Sequence, residues 1–217
     1  MANQTTIVVA TNNLGKLKEF KLLLPNFNLV SQSSLGIVPE EELGETFFEN
    51  SLQKARVANT ASGKTSLGDD SGLIVPALNN LPGLRSARYA HESATDDENR
   101  QYLKNELEKL KLNQAKAYFV CVLVLLRDSV DPFPLIATGL FEGIVKTSMR
   151  GENGFGYDPM FYPKNSNVSL AEMDENEKAL LSHRGIAMQI LKTKIERFSS
   201  SDKNSQPKKN LNIAEEE

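Results

Sequence analysis

The sequence predicts a mixed α/β fold, and three observations carry that expectation. Short β-branched runs alternate with stretches of helical spacing through the first third of the chain, the order of strands and helices in an α/β domain. Two long apolar runs, Ala115–Leu126 and Leu135–Val145, are joined by the turn-like Ser129–Pro134 and read as an antiparallel hairpin. The region Glu175–Phe198 carries a strong helical pattern.

Taken in order, Ile7–Ala10 is a β-branched strand that ends in a polar turn, and Leu14–Leu24 follows with helical spacing. Phe27–Val30 returns as a second strand. Thr46 and Glu49 stand three apart in capping-box form and open a helix reaching Ala61. Ser66–Leu67 and Leu73–Val75 are expected as strands flanking a turn at Asp69-Asp70-Ser71-Gly72. Pro82–Gly83 breaks the chain. A second capping box, Thr95 to Glu98, opens a helix running through Leu103, Leu107 and Leu110. After the hairpin, Ser169 and Glu172 mark another helix start. Past Phe198 large apolar residues become scarce. The expected organisation is one domain over residues 1–198, followed by a flexible polar tail, 199–217.

With 217 residues, 40% of them hydrophobic and 24% charged, the chain has the composition of a soluble globular protein able to bury a core. A net charge of −3 gives no electrostatic case for nucleic-acid or membrane binding. The N-terminal Met1–Thr6 is short and polar, unlike a signal peptide, and no apolar run approaches membrane-spanning length. A cytoplasmic protein is therefore expected. Cys121 lies inside an apolar run and reads as a buried thiol. Gly63-Lys64-Thr65 resembles the end of a P-loop, but the earlier glycine falls at Ala58 and a helix precedes it, so a P-loop is rejected.

Five polar segments at strand and helix junctions converge on one chemistry. Thr11-Asn12-Asn13-Leu14-Gly15-Lys16 precedes a helix, whose first amides are unpaired and whose dipole favours anions. Lys16 adds a point charge for a phosphate oxygen. Asp69 and Asp70 are hard carboxylates, of the kind that hold Mg²⁺ together with substrate phosphates. If a strand continues through them, they face opposite sides. Glu40-Glu41-Glu42 offers a second oxygen ligand. In Gly154-Phe155-Gly156-Tyr157-Asp158, glycines permit close backbone approach, and Phe155 or Tyr157 offers a face for a purine. Asp158 can accept from the ring or sugar. Lys178 and Ser182–Arg184 lie on the last helical pattern or at a break in it; Lys178 and Ser182 are spaced to share a helix face, and His183 and Arg184 are donors for phosphate or a base carbonyl. Together these groups suit a triphosphate, a divalent metal and a flat base.

These blocks also resemble a known family. Thr11-x-Asn13-x-x-Lys16, Phe47-x-Glu49-Asn50-x-x-x-Lys54-Ala55 and Asp69–Leu73 occur in order, followed by Pro82–Tyr89, Gly154–Pro159 and Ser182–Gly185. The chain is thereby similar to the inosine/xanthosine triphosphate pyrophosphatases, the enzymes of non-standard purine nucleoside triphosphates. The resemblance implies hydrolysis of ITP, dITP and XTP to monophosphate and pyrophosphate. It also implies an elongated mixed sheet with flanking helices, two lobes around a central cleft, and a homodimer. Position by position, it assigns Thr11 to Lys16 to the triphosphate. Glu41 and Asp70 go to Mg²⁺ (or Mn²⁺), with Asp70 also the proton acceptor. Ser71, Phe155, Gly156, Tyr157, Asp158, Lys178, His183 and Arg184 go to the substrate. Asn12 departs from the pattern, since relatives commonly carry glycine there. The alternatives are a pyrophosphatase of another triphosphate, or a catalytically silent nucleotide-binding module. The latter would be signalled by loss of Asp70 or Glu41, and both are present.

Overall fold

The computed structural model describes residues 5–204. Six strands form one sheet in the order β2-β1-β3-β4-β5-β6. β1 (Thr6–Ala10) pairs in parallel with both β2 (Asn28–Ser31) and β3 (Ser66–Ile74). From β3 onward the sheet is antiparallel, through β4 (Gln114–Leu126), β5 (Leu135–Lys146) and the short β6 (Phe161–Pro163). The predicted mixed α/β sheet and its long hairpin are therefore present.

Alternation along the strands sends side chains to two faces. On one face, Ile7, Val9, Leu67, Cys121 and Leu123 meet α1 (Leu14–Leu23) and α5 (His183–Asn204) through Phe20, Ala187 and Leu191. On the other, Ala55 and Ala58 of α2 (Phe47–Ser62) pack against Val122, Val124, Val8 and Ala10. A second core further along the first face joins Leu73, Ala117 and Val145 to Leu103 and Leu107 of α3 (Asp96–Lys109). β3 links the two cores, since Leu67 belongs to one and Leu73 to the other. The α5 packing is close. A Cβ on Gly139 would lie 1.9 Å from the His183 carbonyl oxygen, so only glycine lets the start of α5 rest on β5.

Two expectations are corrected and two are refined. Asp69-Asp70-Ser71-Gly72 is no turn but the middle of β3, with Asp69 and Asp70 in register with Leu123 and Val122 of β4. Carboxylates are tolerated inside this strand because each finds a cation on its own side of the sheet. Ser169 and Glu172 form a capping box, but it closes only one 3₁₀ turn, Leu170–Glu172. The pattern from Glu175 is two helices, α4 (Glu175–Leu181) and α5, separated by Ser182, whose backbone is extended. α5 also continues to Asn204, so the first part of the expected tail is helical. The remainder, 205–217, lies outside the described residues. β6 was not anticipated, because three residues give no readable alternation.

Candidate active site

The site forms where β3 outruns β1. Pairing between them ends at Ala10 and Gly68, after which the chain turns away through Thr11 to Asn13. Over Asp69–Ser71 that edge of β3 is open, before Ser86 and Pro82 close on Leu73 and Ile74, and a ligand there can reach both faces of the sheet. Parallel α/β sheets place ligand sites beyond the carboxyl ends of their strands in this way. A cavity of about 290 Å³ occupies the notch, lined by Asn12, Asn13, Lys16, Glu42, Lys54 and Asp69 among others. A smaller one of about 120 Å³ continues past Asn13 and Lys16 to Ser71, Phe155, His183 and Arg184.

Asn13 caps α1, its side-chain oxygen accepting from the Lys16 amide at 3.0 Å, while its own amide donates to Thr11 Oγ1 at 3.1 Å. The amides of Leu14 and Gly15 have no hydrogen-bond partner among the described residues. Asn12 accepts from Gln32 Nε2 at 3.2 Å. The Leu14 side chain is 80% exposed, so only the backbone of that residue is suited to an anion.

Asp69 and Asp70 face opposite sides and meet different cations. Asp69 is buried and forms an ion pair with Lys16. It also accepts from Cys121 Sγ at 3.2 Å and lies 3.9 Å from Arg184 Nε. Burial pushes its pKa up, but Lys16 and Arg184 more than offset that and hold it below the ordinary carboxylate range. Asp70 faces α2, accepting from Lys54 Nζ at 2.9 Å and from Asn50 Nδ2 at 3.2 Å. Here burial prevails over Lys54, and the pKa of Asp70 is raised. Asn50 and Lys54 stand four apart on one face of α2. Their block was legible in the sequence, but nothing there disclosed that both point at Asp70.

Lys54 also lies 2.8 Å from Glu42 Oε1, so one ammonium is shared by two carboxylates. Glu42 is thus the glutamate beside Asp70. Glu41 is exposed, and its contact is through the backbone, its carbonyl accepting from Gln53 Nε2 at 2.8 Å. The loop alternates its side chains, and consecutive glutamates in a sequence cannot reveal which turns inward. Among the described residues no cluster of three metal-ligating side chains occurs. Asp70 and Glu42 nonetheless fit a magnesium site, since Mg²⁺ takes one or two carboxylates and completes its shell with phosphates and water.

On the first face, Glu19 of α1 joins the two ends of the smaller cavity. It pairs with Arg184, and with Lys178 at 3.1 Å. Lys178 lies 2.6 Å from Asp158 Oδ2, which also accepts from the Phe155 amide at 2.8 Å. Arg184 donates to Ser71 Oγ at 3.2 Å. Sequence reading did not single out Glu19, which looks like any surface glutamate of a helix. His183 is buried and stacks on Phe119 at 4.7 Å. Burial drives its pKa well below 6.5, so the ring is neutral at physiological pH.

Of the two aromatics, Phe155 is the one that can meet a flat ligand. It is half-buried, with Lys178 Nζ 4.5 Å from its ring centroid. Tyr157 is only 4% exposed, belongs to the second core and donates its hydroxyl to Ser86 O at 2.9 Å. It lines the cavity as structure rather than as a free stacking face. Gly154 and Gly156 hold φ of 79° and 60°, a left-handed backbone that needs glycine and sets Phe155 between them. The sequence-predicted residues thus gather around one cleft, with Glu41 and Leu14 at its margin.

A model of the Ham1 family matches residues 7–194. A protein of Haemophilus influenzae named dITP/XTP pyrophosphatase is 45% identical over 87% of this chain and 98% of its own length. Another of that name from Legionella pneumophila is 44% identical over 86% of this chain and 96% of its own. Among solved structures, a HAM1 protein from Coxiella burnetii superposes with a TM-score of 0.82 at 41% identity, covering 89% of this chain and all of that one. The Staphylococcus aureus Ham1 protein gives 0.78 at 37% identity, with the same coverage. No helix among the described residues is long and apolar enough to cross a membrane.

Proposed function

The chain belongs to the Ham1 family, and on that premise we propose that it hydrolyses dITP, ITP and XTP to the monophosphate and pyrophosphate. Relatives over 40% identical along nearly their whole length carry the name dITP/XTP pyrophosphatase. The observation that carries the reading to the chemistry is the divergence of Asp69 and Asp70 at the open edge of β3. One carboxylate positions a phosphate-facing lysine, and the other is left beside Lys54 and Glu42 for the reaction.

The triphosphate lies in the notch, its oxygens met by Lys16, Lys54 and the free amides of Leu14 and Gly15, with Thr11, Asn12 and Asn13 shaping the turn. Asp70 and Glu42 would hold a magnesium ion (or Mn²⁺ in its place), and Glu41, which faces solvent, would reach it only if the loop turned. The ion, when bound, neutralises phosphate charge that builds up in the transition state. A water oxygen forms a bond to the α-phosphorus, its proton passes to Asp70, and the bond to the α–β bridging oxygen breaks to release pyrophosphate. Positioning and fixed positive charge supply the rest of the acceleration.

The base enters the smaller cavity against Phe155. Ser71, Gly156, Asp158, Lys178, neutral His183 and Arg184 surround it, with Tyr157 as backing. Donors facing the 6-oxo group would oppose an adenine amino group, which is the basis of selection against ATP. Residues 1–198 act as one catalytic domain in the cytoplasm. The protein works as a homodimer, a reading supported by the exposed Val130 and Leu140 on the β4–β5 hairpin. Hydrolysis in ¹⁸O-labelled water tests the point of attack. Label in the monophosphate and none in pyrophosphate is expected. Label in orthophosphate would overturn the reading.

A further inference from the structure

The loop that carries Phe155 is gripped by α3, a helix to which the mechanism has given no part. Gly156 donates its amide to Asp96 Oδ2 at 2.7 Å, and its carbonyl accepts from Arg100 Nη1 at 2.7 Å. Asp96 and Arg100 are four apart on the first turns of α3, so one helix face takes both polar groups of a single peptide unit's residue. Gly156 has a φ of 60° and no atom within 4 Å of where a Cβ would stand, so packing does not hold it. The same turn of α3 grips the opposite wall. Asn99 donates to Ala87 O at 3.0 Å and accepts from the Ala90 amide at 2.9 Å.

We propose that Asp96 and Arg100 are positioning residues that pre-order the Gly154–Asp158 loop, and with it Phe155, for the base of the substrate. The inference rests on the functional reading above. A glycine loop left free would have to be ordered on binding, at a cost in affinity. The capping box formed by Thr95 and Glu98 fixes the start of α3, and so fixes the clamp relative to the second core. Phosphates lie in the notch on the far side of Lys16, so the clamp serves the base and not the triphosphate.

The test uses the full chain with Asp96→Ala and Arg100→Ala, and with Asp96→Asn, which keeps an acceptor. Hydrogen exchange at the Gly156 amide is expected to quicken about tenfold or more in Asp96→Ala and to recover in Asp96→Asn. For ITP, both alanine variants are expected to raise KM about five- to tenfold with kcat within about twofold of wild type. The inhibition constant of inorganic tripolyphosphate, which has no base, is expected to stay unchanged. Unchanged exchange would overturn the clamp. KM and the tripolyphosphate constant rising together would show general loosening and overturn the positioning role, as would a fall in kcat alone. Wild type inactive on ITP would instead overturn the functional reading, and is seen before any variant is compared.

Discussion

The carboxylates of Asp69 and Asp70, neighbours in sequence, share no partner side chain, although the Asp69 carbonyl accepts from Lys54 Nζ at 3.2 Å. Asp69 pairs with Lys16 across one face of the sheet, and Asp70 with Lys54 across the other. Strand alternation makes this separation unavoidable once β3 runs unbroken through both. It also divides their surroundings: against the effect of burial, Lys16 and Arg184 hold the pKa of Asp69 below the ordinary carboxylate range, while burial raises that of Asp70 beside its one shared cation.

Asp69→Asn is expected to be chiefly a stability variant. It strips a buried partner from Lys16 and Arg184, and breaking such a pair costs about 3–5 kcal/mol. Urea denaturation should show that loss. A variant as stable as wild type would mean that Lys16 needs no holding.

Magnesium dependence should separate the two glutamates. Glu42→Gln is expected to raise the magnesium concentration for half-maximal activity about tenfold, because Glu42 already stands across Lys54 from Asp70. Glu41→Gln should raise it less. The reverse order would mean that the loop turns over when the ion binds.

Stability should fall in mild acid through His183. Its folded pKa is depressed by burial, so the unfolded chain binds the proton more tightly. The stabilisation is complete above the unfolded value of 6.5 and is lost as pH drops below it toward the folded pKa. Melting temperatures of wild type and His183→Gln from neutral to mildly acid pH check this. The variant should show the shallower decline, and parallel curves would contradict the assignment.

Gly139→Ala should damage the site from a distance. The added carbon would lie 1.9 Å from the His183 carbonyl, forcing α5 off β5. Overpacking of this kind costs about 1–3 kcal/mol. Loss of kcat/KM should accompany it, since His183 and Arg184 begin α5. Full activity would show that α5 can shift without moving them.

Much of this architecture was readable in the sequence, for physical reasons specific to each element. The Thr46 and Thr95 caps and the β-branched hairpin declare themselves through local chemistry, and α2, α3, β4 and β5 stand where that chemistry puts them. The strand through Asp69 and Asp70 did not, because adjacent carboxylates beside serine and glycine carry a turn's signature. Only the distant Lys16, Arg184 and Lys54 make them tolerable in a buried strand. Likewise, at the helix break at Ser182, a Cβ on Gly185 would lie 2.1 Å from the Ala179 carbonyl oxygen, a close contact invisible in the periodicity. Glu19, Asp96 and Arg100 act through partners far off in the chain, and no spacing rule finds them.

Pyrophosphate release from ITP, XTP, dITP, ATP and GTP tests the central claim most directly, measured with magnesium and with chelator for wild type and Asp70→Asn. The account predicts magnesium-dependent turnover of the first three at least about tenfold above ATP and GTP, and a loss of about a hundredfold or more in the variant. Equal turnover of all five, or an Asp70→Asn enzyme as active as wild type, would contradict it.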